Sequence, residues 1–409
     1  MKKRVLSLLL IASMVISMLT GCGSSDGEGS SEAVTEAVDI FGVTNSEYRV
    51  ALITDYGDIT DQSFNQTTYE ACKAFCAENC VEFQYYKPTE NVTAQRVASV
   101  KQAVEDGHNI IVVPGYSFGA TIAEVSKLYK DVKFIALDVA EGDLLEGGVA
   151  LAGEAYDYNP ANWKLEDYVY MDNVYCAIYQ EEVSGYMAGY AAVKMGYRKL
   201  GYLGGMAVPV VIRFGYGFVQ GAEDAAKEMG ISDVEIKYAY GNQFFGDEII
   251  TVAMDNWYKS GTEVVFACGG GIYSSAAEAA ARNGKKIIGV DTDQAAVIDS
   301  AYGEGLTVTS ATKGLYPTTI DTLTDVVLNG NWNNYAGKIT TLGLVSGSEV
   351  ESNYVQLPLE STQWTDSFTA DDYTALVGMI YNGTVKISSD TDVEPVVTAV
   401  TVEYLGSLK

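Results

Sequence analysis

From Tyr48 onward two kinds of hydrophobic pattern alternate along the chain. Short β-rich runs at residues 49–54, 81–86 and 109–113 are each followed by a longer stretch with helical spacing, at 63–79, 93–106 and 118–129. The runs Arg49-Val50-Ala51-Leu52-Ile53 and Asn109-Ile110-Ile111-Val112-Val113 are continuously apolar instead of alternating. That is the pattern of parallel strands covered by helices on both faces. Residues 133–137 predict a fourth strand, and a polar, aromatic stretch over 153–172 then breaks the rhythm. It resumes with a strand at 174–179, a helix at 181–195 and a strand at 199–203, and continues with a glycine-containing helix at 214–229. Strands follow at 234–240, 264–267 and 286–290. A run at 307–312 and a helix from Tyr316 are expected to cross back.

The pattern predicts an α/β protein of two doubly wound parallel-sheet lobes joined by a multi-crossing hinge, with a ligand held at the carboxyl ends of the strands. The first lobe is expected over 48–172 with a return segment at 292–320, and the second over 173–291 with 321–409. The last stretch fits a late helix and strands but offers no recognisable site.

Ahead of this domain, Lys2, Lys3 and Arg4 precede a mostly apolar run at 5–19, followed by Thr20, Gly21 and Cys22. The run is shorter than the roughly 20 residues that span a bilayer as a helix, so it reads as a cleaved export signal over 1–22. Leu19-Thr20-Gly21-Cys22 resembles a bacterial lipobox, in which the cysteine is lipidated; the alternative is a plain secretory signal with a chance cysteine. Residues 23–47, rich in Gly, Ser and Glu, read as a flexible tether. The lipid on Cys22 would be the one membrane attachment, which implies an extracytoplasmic protein anchored to the bacterial cell membrane.

Charge narrows the partners. With 26 basic against 54 acidic residues the net charge is −28, which repels nucleic acid and anionic headgroups. The sole histidine, His108, is expected at an exposed helix end, and one histidine argues against a Ser-His-Asp triad or a multi-histidine metal site. Cys72, Cys76 and Cys80 recur every four residues. On a helix they would line one face, as a metal or redox cluster or, as is commoner, as small apolar packing groups.

Candidate chemistry clusters just after strands. The segment Asp55-Tyr56-Gly57-Asp58-Ile59-Thr60-Asp61-Gln62-Ser63-Phe64-Asn65 joins the first strand to the first helix. Its three carboxylates could hold a cation, but the glycine comes too early and no Glu occupies the twelfth position of an EF-hand. Asp61 or Ser63 could equally cap the helix. Phe64 and Asn65 together offer a stacking face and an amide. Gly289-Val290-Asp291-Thr292-Asp293-Gln294 places two acids after another buried strand. No Walker loop is present, and Gly215-x-Gly217-x-x-x-Gly221 misses the dinucleotide fingerprint by one residue, so those glycines are assigned to close packing. Gly269-Gly270-Gly271 either lets a ligand approach the backbone, with Gly270 the candidate contact, or makes a tight turn.

In order along the chain stand Asp55-x-Gly57, Asp61-x-Ser63-Phe64-Asn65, Glu182-x-x-Gly185-x-x-Ala188-Gly189, Gly204-Gly205-Met206-x-x-Pro209 with Arg213-Phe214, Gly289-Val290-Asp291-x-Asp293-Gln294, and Lys313. The series resembles the basic membrane protein family of nucleoside-binding lipoproteins, the substrate-binding components of ABC transporters. The resemblance implies a type I periplasmic-binding-protein fold, no cofactor, and a nucleoside ligand, most often a purine nucleoside. It further implies a base stacked between Phe64 and Phe245, with Phe244 the adjacent alternative. Asp55, Asn65 and Asp138 would hold the base edge, and Asp291 and Lys313 the ribose. Two departures are a long segment at 155–173 and Gly241-Asn242-Gln243-Phe244-Phe245 in place of the family's Gly-Ser-Phe.

The expected function is therefore that of a monomeric binding module without catalysis or metal, which delivers a nucleoside to an ABC permease. Two rivals remain open on sequence: a tethered sensor that signals to a receptor, and a secreted nucleoside hydrolase using Asp55, Asp58 and Asp61 around a cation.

Overall fold

The computed structural model describes residues 47–409. The export signal, Cys22 and the tether up to residue 46 lie outside the described residues.

The first sheet is built by β1 (Arg49–Ile53), β2 (Glu82–Tyr86), β3 (Ile110–Pro114), β4 (Lys133–Leu137) and β5 (Val174–Tyr179), with α1 (Phe64–Asn79), α2 (Thr93–Glu105), α3 (Gly119–Val125), α4 (Glu141–Leu151) and the short α5 (Leu165–Tyr168) in the connections. The second contains β6 (Lys199–Gly204), β7 (Val234–Tyr240), β8 (Val264–Cys268), β9 (Lys286–Asp291) and β10 (Thr307–Lys313). Its intervening helices are α6 (Glu181–Lys194), α7 (Pro209–Met229), α8 (Glu248–Lys259), α9 (Tyr273–Asn283) and α10 (Ala295–Tyr302). The chain ends through α11 (Leu315–Leu323), β11 (Lys338–Leu342), β12 (Val355–Gln356), α12 (Ala370–Tyr381) and β13 (Val400–Ser407). Sheet order is β11-β5-β4-β3-β1-β2 in the first lobe and β12-β10-β9-β8-β6-β7-β13 in the second. All neighbours are parallel except β10 and β12.

This topology moves three segments. β5 pairs with β4, Phe134 opposite Val174, so residues 174–179 complete the first sheet instead of opening the second. The polar stretch over 153–172 is consequently an excursion within one lobe, between α4 and β5. β10 pairs with β9, so residues 307–313 stay in the second lobe, and the strand that returns to the first is β11, against β5. Hydrophobic pattern specifies that a strand is buried on both faces, but which open sheet edge receives it depends on the connection that follows.

The chain therefore crosses between lobes three times, at Gln180, at Gly314 and through residues 343–354. These crossings run side by side. Gln180 N–H donates to Leu342 O (2.9 Å), Tyr354 N–H to Gly343 O (3.0 Å) and Gly314 N–H to Tyr354 O (2.7 Å).

The glycines of α6 and α7 bring these helices into backbone contact. A Cβ on Gly185 or Gly189 would overlap the carbonyl oxygen of Phe214 or Phe218, and one on Gly217 or Gly221 that of Glu182 or Tyr186. The close-packing assignment of Gly217 and Gly221 is thus what the structure contains, and on the sheet side Phe218 of α7 packs against Tyr202 of β6 and Phe266 of β8, all buried. α7 starts five residues before the predicted helix, with Pro209 in its first turn, where the missing N–H costs no hydrogen bond.

Two smaller expectations change. His108 is buried at 1 % exposure, edge-on to Tyr86 with ring centroids 5.9 Å apart. It follows α2 by two residues and leads into β3, so the chain has already turned inward, and burial lowers its pKa. Cys72 and Cys76 pack in the core, but Cys80 lies past the helix end, left-handed at φ 54° and exposed, so the three do not share one buried face.

Candidate functional site

The carboxyl ends of both sheets face one cavity of about 430 Å³, within the range of small-molecule sites. All eight residues singled out from sequence, Asp55, Phe64, Asn65, Asp138, Phe245, Gly270, Asp291 and Lys313, line it.

On the first lobe, Asp55 leaves β1 and its Oδ1 accepts the backbone N–H groups of Tyr56 and Gly57, each at 2.6 Å. Asp61 caps α1: its carboxylate accepts from the backbone N–H groups of Ser63 (2.9 Å), Asn65 (3.0 Å) and Gln66 (3.1 Å). The capping alternative therefore describes Asp61, and burial raises its pKa. Asn65 is used inside the loop. Its Nδ2 donates to Asp61 (3.0 Å) and its Oδ1 accepts from Asp55 N (3.4 Å), which leaves one amide hydrogen free for a ligand. Asp58 pairs with Lys87, also of the first lobe, at 2.8 Å. The carboxylates of Asp55, Asp58 and Asp61 thus have separate partners, and among the described residues no group of three acids, histidines or cysteines could hold a metal ion.

The base of the cavity is ionic and joins the lobes. Asp138, at the end of β4, and Asp291, at the end of β9, bracket Lys313 at the end of β10. Lys313 Nζ is bonded to Asp138 and lies 3.3 Å from Asp291. Asp291 also accepts from the Ser63 hydroxyl of the opposite lobe (2.7 Å). This explains why Ser63, at the N-cap position, makes no side-chain cap: its hydroxyl reaches across the cleft. Asp138 and Asp291 both adopt left-handed backbones, φ 55° and 67°, a strained conformation for a residue with a Cβ that turns each carboxylate back toward the cavity.

The ammonium of Lys313 also lies 4.7 Å from the Phe64 ring centroid and 5.6 Å from that of Phe214. Burial would depress its pKa, but Asp138, Asp291 and Glu181 outweigh burial and hold it raised, so it is cationic. Burial pushes the Asp138 carboxyl up, against the pull of Lys313. Its second oxygen, Oδ1, is buried with no hydrogen-bond partner among the described residues. An unpaired buried acceptor at the floor of a cavity has the chemistry to accept a hydrogen bond from a donor placed there.

Aromatic side chains from both lobes line the cavity. Phe64 is half-buried at the start of α1. From the second lobe, Phe244 covers Gly205, Gly269 and Gly270, where any Cβ would strike its ring or carbonyl, while Phe245 is 54 % exposed at the cleft. Of the two readings offered for the glycine run, the tight turn is what the structure contains: Gly269 and Gly270 sit at positive φ, and Phe244 lies against the bare backbone they leave.

Sequence reasoning missed Gly115 and Tyr116 after β3 and the apolar group Val208, Val211 and Phe214 at the start of α7. Gly115 follows a strand and sits at φ 112°, with Phe64 Cε1 3.7 Å from where its Cβ would be. A glycine directly after Pro114 was the available signal. For Phe214 it was the neighbouring Arg213, whose ion pair with buried Glu181 (2.7 Å) anchors that turn of α7 at the cleft.

A hinged pair of parallel-sheet lobes with a polar, aromatic-walled cavity at their strand ends defines a solute-binding protein. Residues 48–372 match the family model of PnrA-like ABC transporter substrate-binding proteins, and the chain belongs to this Bmp family. The chain is 27 % identical over 310 residues to the ABC transporter nucleoside-binding protein BmpA of Lactococcus lactis, covering 72 % of this chain and 75 % of that one. It is 24 % identical over 337 residues to basic membrane protein B of Borreliella burgdorferi, covering 81 % and 84 %. Its fold is shared with an ABC transporter solute-binding protein from Conexibacter woesei, with a TM-score of 0.57, 20 % identity and coverage of 84 % and 99 %. The two-lobed type I periplasmic-binding-protein architecture expected from the sequence is therefore the fold of this chain, and its role is that of an ABC transporter substrate-binding protein.

Proposed function

We propose that the protein captures a purine nucleoside between its lobes and presents it to an ABC permease from the outer face of the membrane, held there by a lipid on Cys22. The observation that carries this reading is the floor of the cavity: two carboxylates around a buried lysine, in a cavity lined by Phe64, Phe244 and Phe245. Flat aromatic walls suit a heterocycle. Asp138, with its unpaired oxygen, suits a ring N–H, and Asp291 suits a pair of vicinal hydroxyls. The nucleoside-binding name of the Lactococcus lactis relative supports the same class of ligand.

The separate engagement of Asp55, Asp58 and Asp61 favours binding over metal-assisted hydrolysis. Titration calorimetry with guanosine, inosine, uridine, free ribose and a dipeptide tests the ligand. Saturable binding of purine nucleosides is expected; heat from the sugar or the peptide alone, with none from nucleosides, would overturn it. A Cys22→Ala change tests the anchor, since it should release the full-length protein from the membrane fraction.

A further inference from the structure

The wall that carries Phe245 is held from an unexpected direction. The family match ends at residue 372, yet β13, at 400–407, continues the second sheet beyond β7. Glu223 secures its entry by accepting the backbone N–H groups of Thr398 (2.7 Å), Ala399 (2.8 Å) and Val400 (2.9 Å). Burial would raise the Glu223 pKa, but these bonds and Lys227 hold it down at about 2. β7 leads directly into the 241–247 loop, so its neighbour β13 delivers the tail to the same place. There Leu408 N–H donates to Tyr240 O (2.9 Å) and Asn242 Nδ2 donates to Ser407 Oγ (2.6 Å).

The last contact is the informative one. Lys409 Nζ bonds both Gln243 Oε1 and the Asp247 carboxylate. Gln243 Nε2 in turn donates to the Phe245 carbonyl (2.8 Å) and to Asp247 (3.1 Å), while Asp247 caps α8 through Ile250 N–H (3.0 Å). One ammonium thus ties together the two residues that flank Phe244 and Phe245, and through Gln243 it fixes the backbone of Phe245 itself. Without it, Gln243 and Asp247 keep a single bond to each other, and the exposed aromatic has no other side-chain support from the tail.

We infer that Lys409 is a positioning residue for the ligand site, and that the β13 tail sets the geometry of the aromatic wall through the Lys409, Gln243 and Asp247 triad. The inference rests on the reading of Phe245 as a ligand-facing residue. The pair is partly exposed, so the expected effect is modest: about two- to fivefold, the range of an exposed ion pair.

Two measurements on the full chain test it. Amide hydrogen exchange without ligand should be faster at residues 243–247 in Lys409→Ala, unchanged in Lys409→Arg, and unaltered elsewhere, with the melting temperature preserved. Guanosine should dissociate about two- to fivefold faster from Lys409→Ala than from the wild type, with Lys409→Arg restoring the rate. Wild-type exchange at 243–247 in Lys409→Ala would overturn the inference, whatever the ligand. Faster exchange with an unchanged guanosine dissociation rate would also overturn it, because the wall would then be held but not used. If guanosine fails to bind the wild type at all, the nucleoside reading falls, and the exchange measurement still judges the tail.

Discussion

Replacing Asp291 with asparagine separates the sugar contact from everything around it. Asparagine matches aspartate in size and is among the residues that tolerate the left-handed backbone observed at φ 67°, so the strand end should keep its shape. Lys313 retains Asp138, and Ser63 retains an amide oxygen within reach. What disappears is the charge on the acceptor that the proposed nucleoside pose sets against two ribose hydroxyls. A hydrogen bond to a charged group contributes about 1.5–3 kcal/mol and a neutral one about 0.5–1.5, so two bonds weakened in this way lose about 2–3 kcal/mol. Guanosine affinity should fall about 30- to 150-fold. Guanine makes no sugar contact, and its affinity should change by less than about threefold. Calorimetry with guanosine, guanine and 2′,3′-dideoxyguanosine on both proteins measures the difference. The wild type should also bind the dideoxy analogue more weakly, because a buried carboxylate is then left short of partners at about 1–3 kcal/mol. Equal losses for guanosine and guanine, or no loss for either, would remove Asp291 from the sugar site.

Phe64→Ala and Phe245→Ala should each weaken nucleoside binding by about 1–3 kcal/mol, read by the same titrations, while Phe244→Ala should lower the melting temperature because that ring covers the Gly205 and Gly269 backbone. Gly189→Ala should destabilise the second lobe by about 1–3 kcal/mol in urea unfolding, since its Cβ has no room against the Phe218 carbonyl. Asp143 is partly buried at the start of α4, and desolvation raises its carboxyl to about 7. The native state therefore holds a proton that the unfolded chain releases near pH 4, so this contribution to stability is complete below that pH and is lost as pH rises through 7. Thermal melts should show wild-type stability falling from pH 5 to pH 8 and a flatter profile in Asp143→Asn.

The strands were legible because β1 and β3 are apolar on both faces, a pattern that few other environments demand. Their assignment to lobes was not, since β5 and β10 read identically as pattern whichever sheet receives them. His108 shows a related limit: the polar sequence around it signals a turn, but not that the turn closes over the ring. At the site, the residues found from sequence are those at the ends of strands β1, β4, β9 and β10, at the start of α1, in the glycine turn after β8 and, for Phe245, in the loop after β7, where topology directs side chains to the cleft. Gly115, Tyr116 and Phe214 enter through the pose of the turn after β3 and of the first turns of α7 relative to Phe64, which depends on packing. The partners of Asn65 and Ser63 were hidden for the same reason. Asn65 gives one amide hydrogen to Asp61 inside its own loop, and Ser63 bonds Asp291, 228 residues away.

The three hydrogen-bonded crossings limit how this molecule can change shape. A single linker would let the lobes swing, twist and slide, but three adjacent ones tied backbone to backbone resist twist and slide and leave rotation about one line. Opening is then described by one coordinate. A single pair of spectroscopic labels, one on each lobe away from the cleft, would report the whole excursion, and its distance distribution with and without ligand would give the free energy of closure directly from two populations.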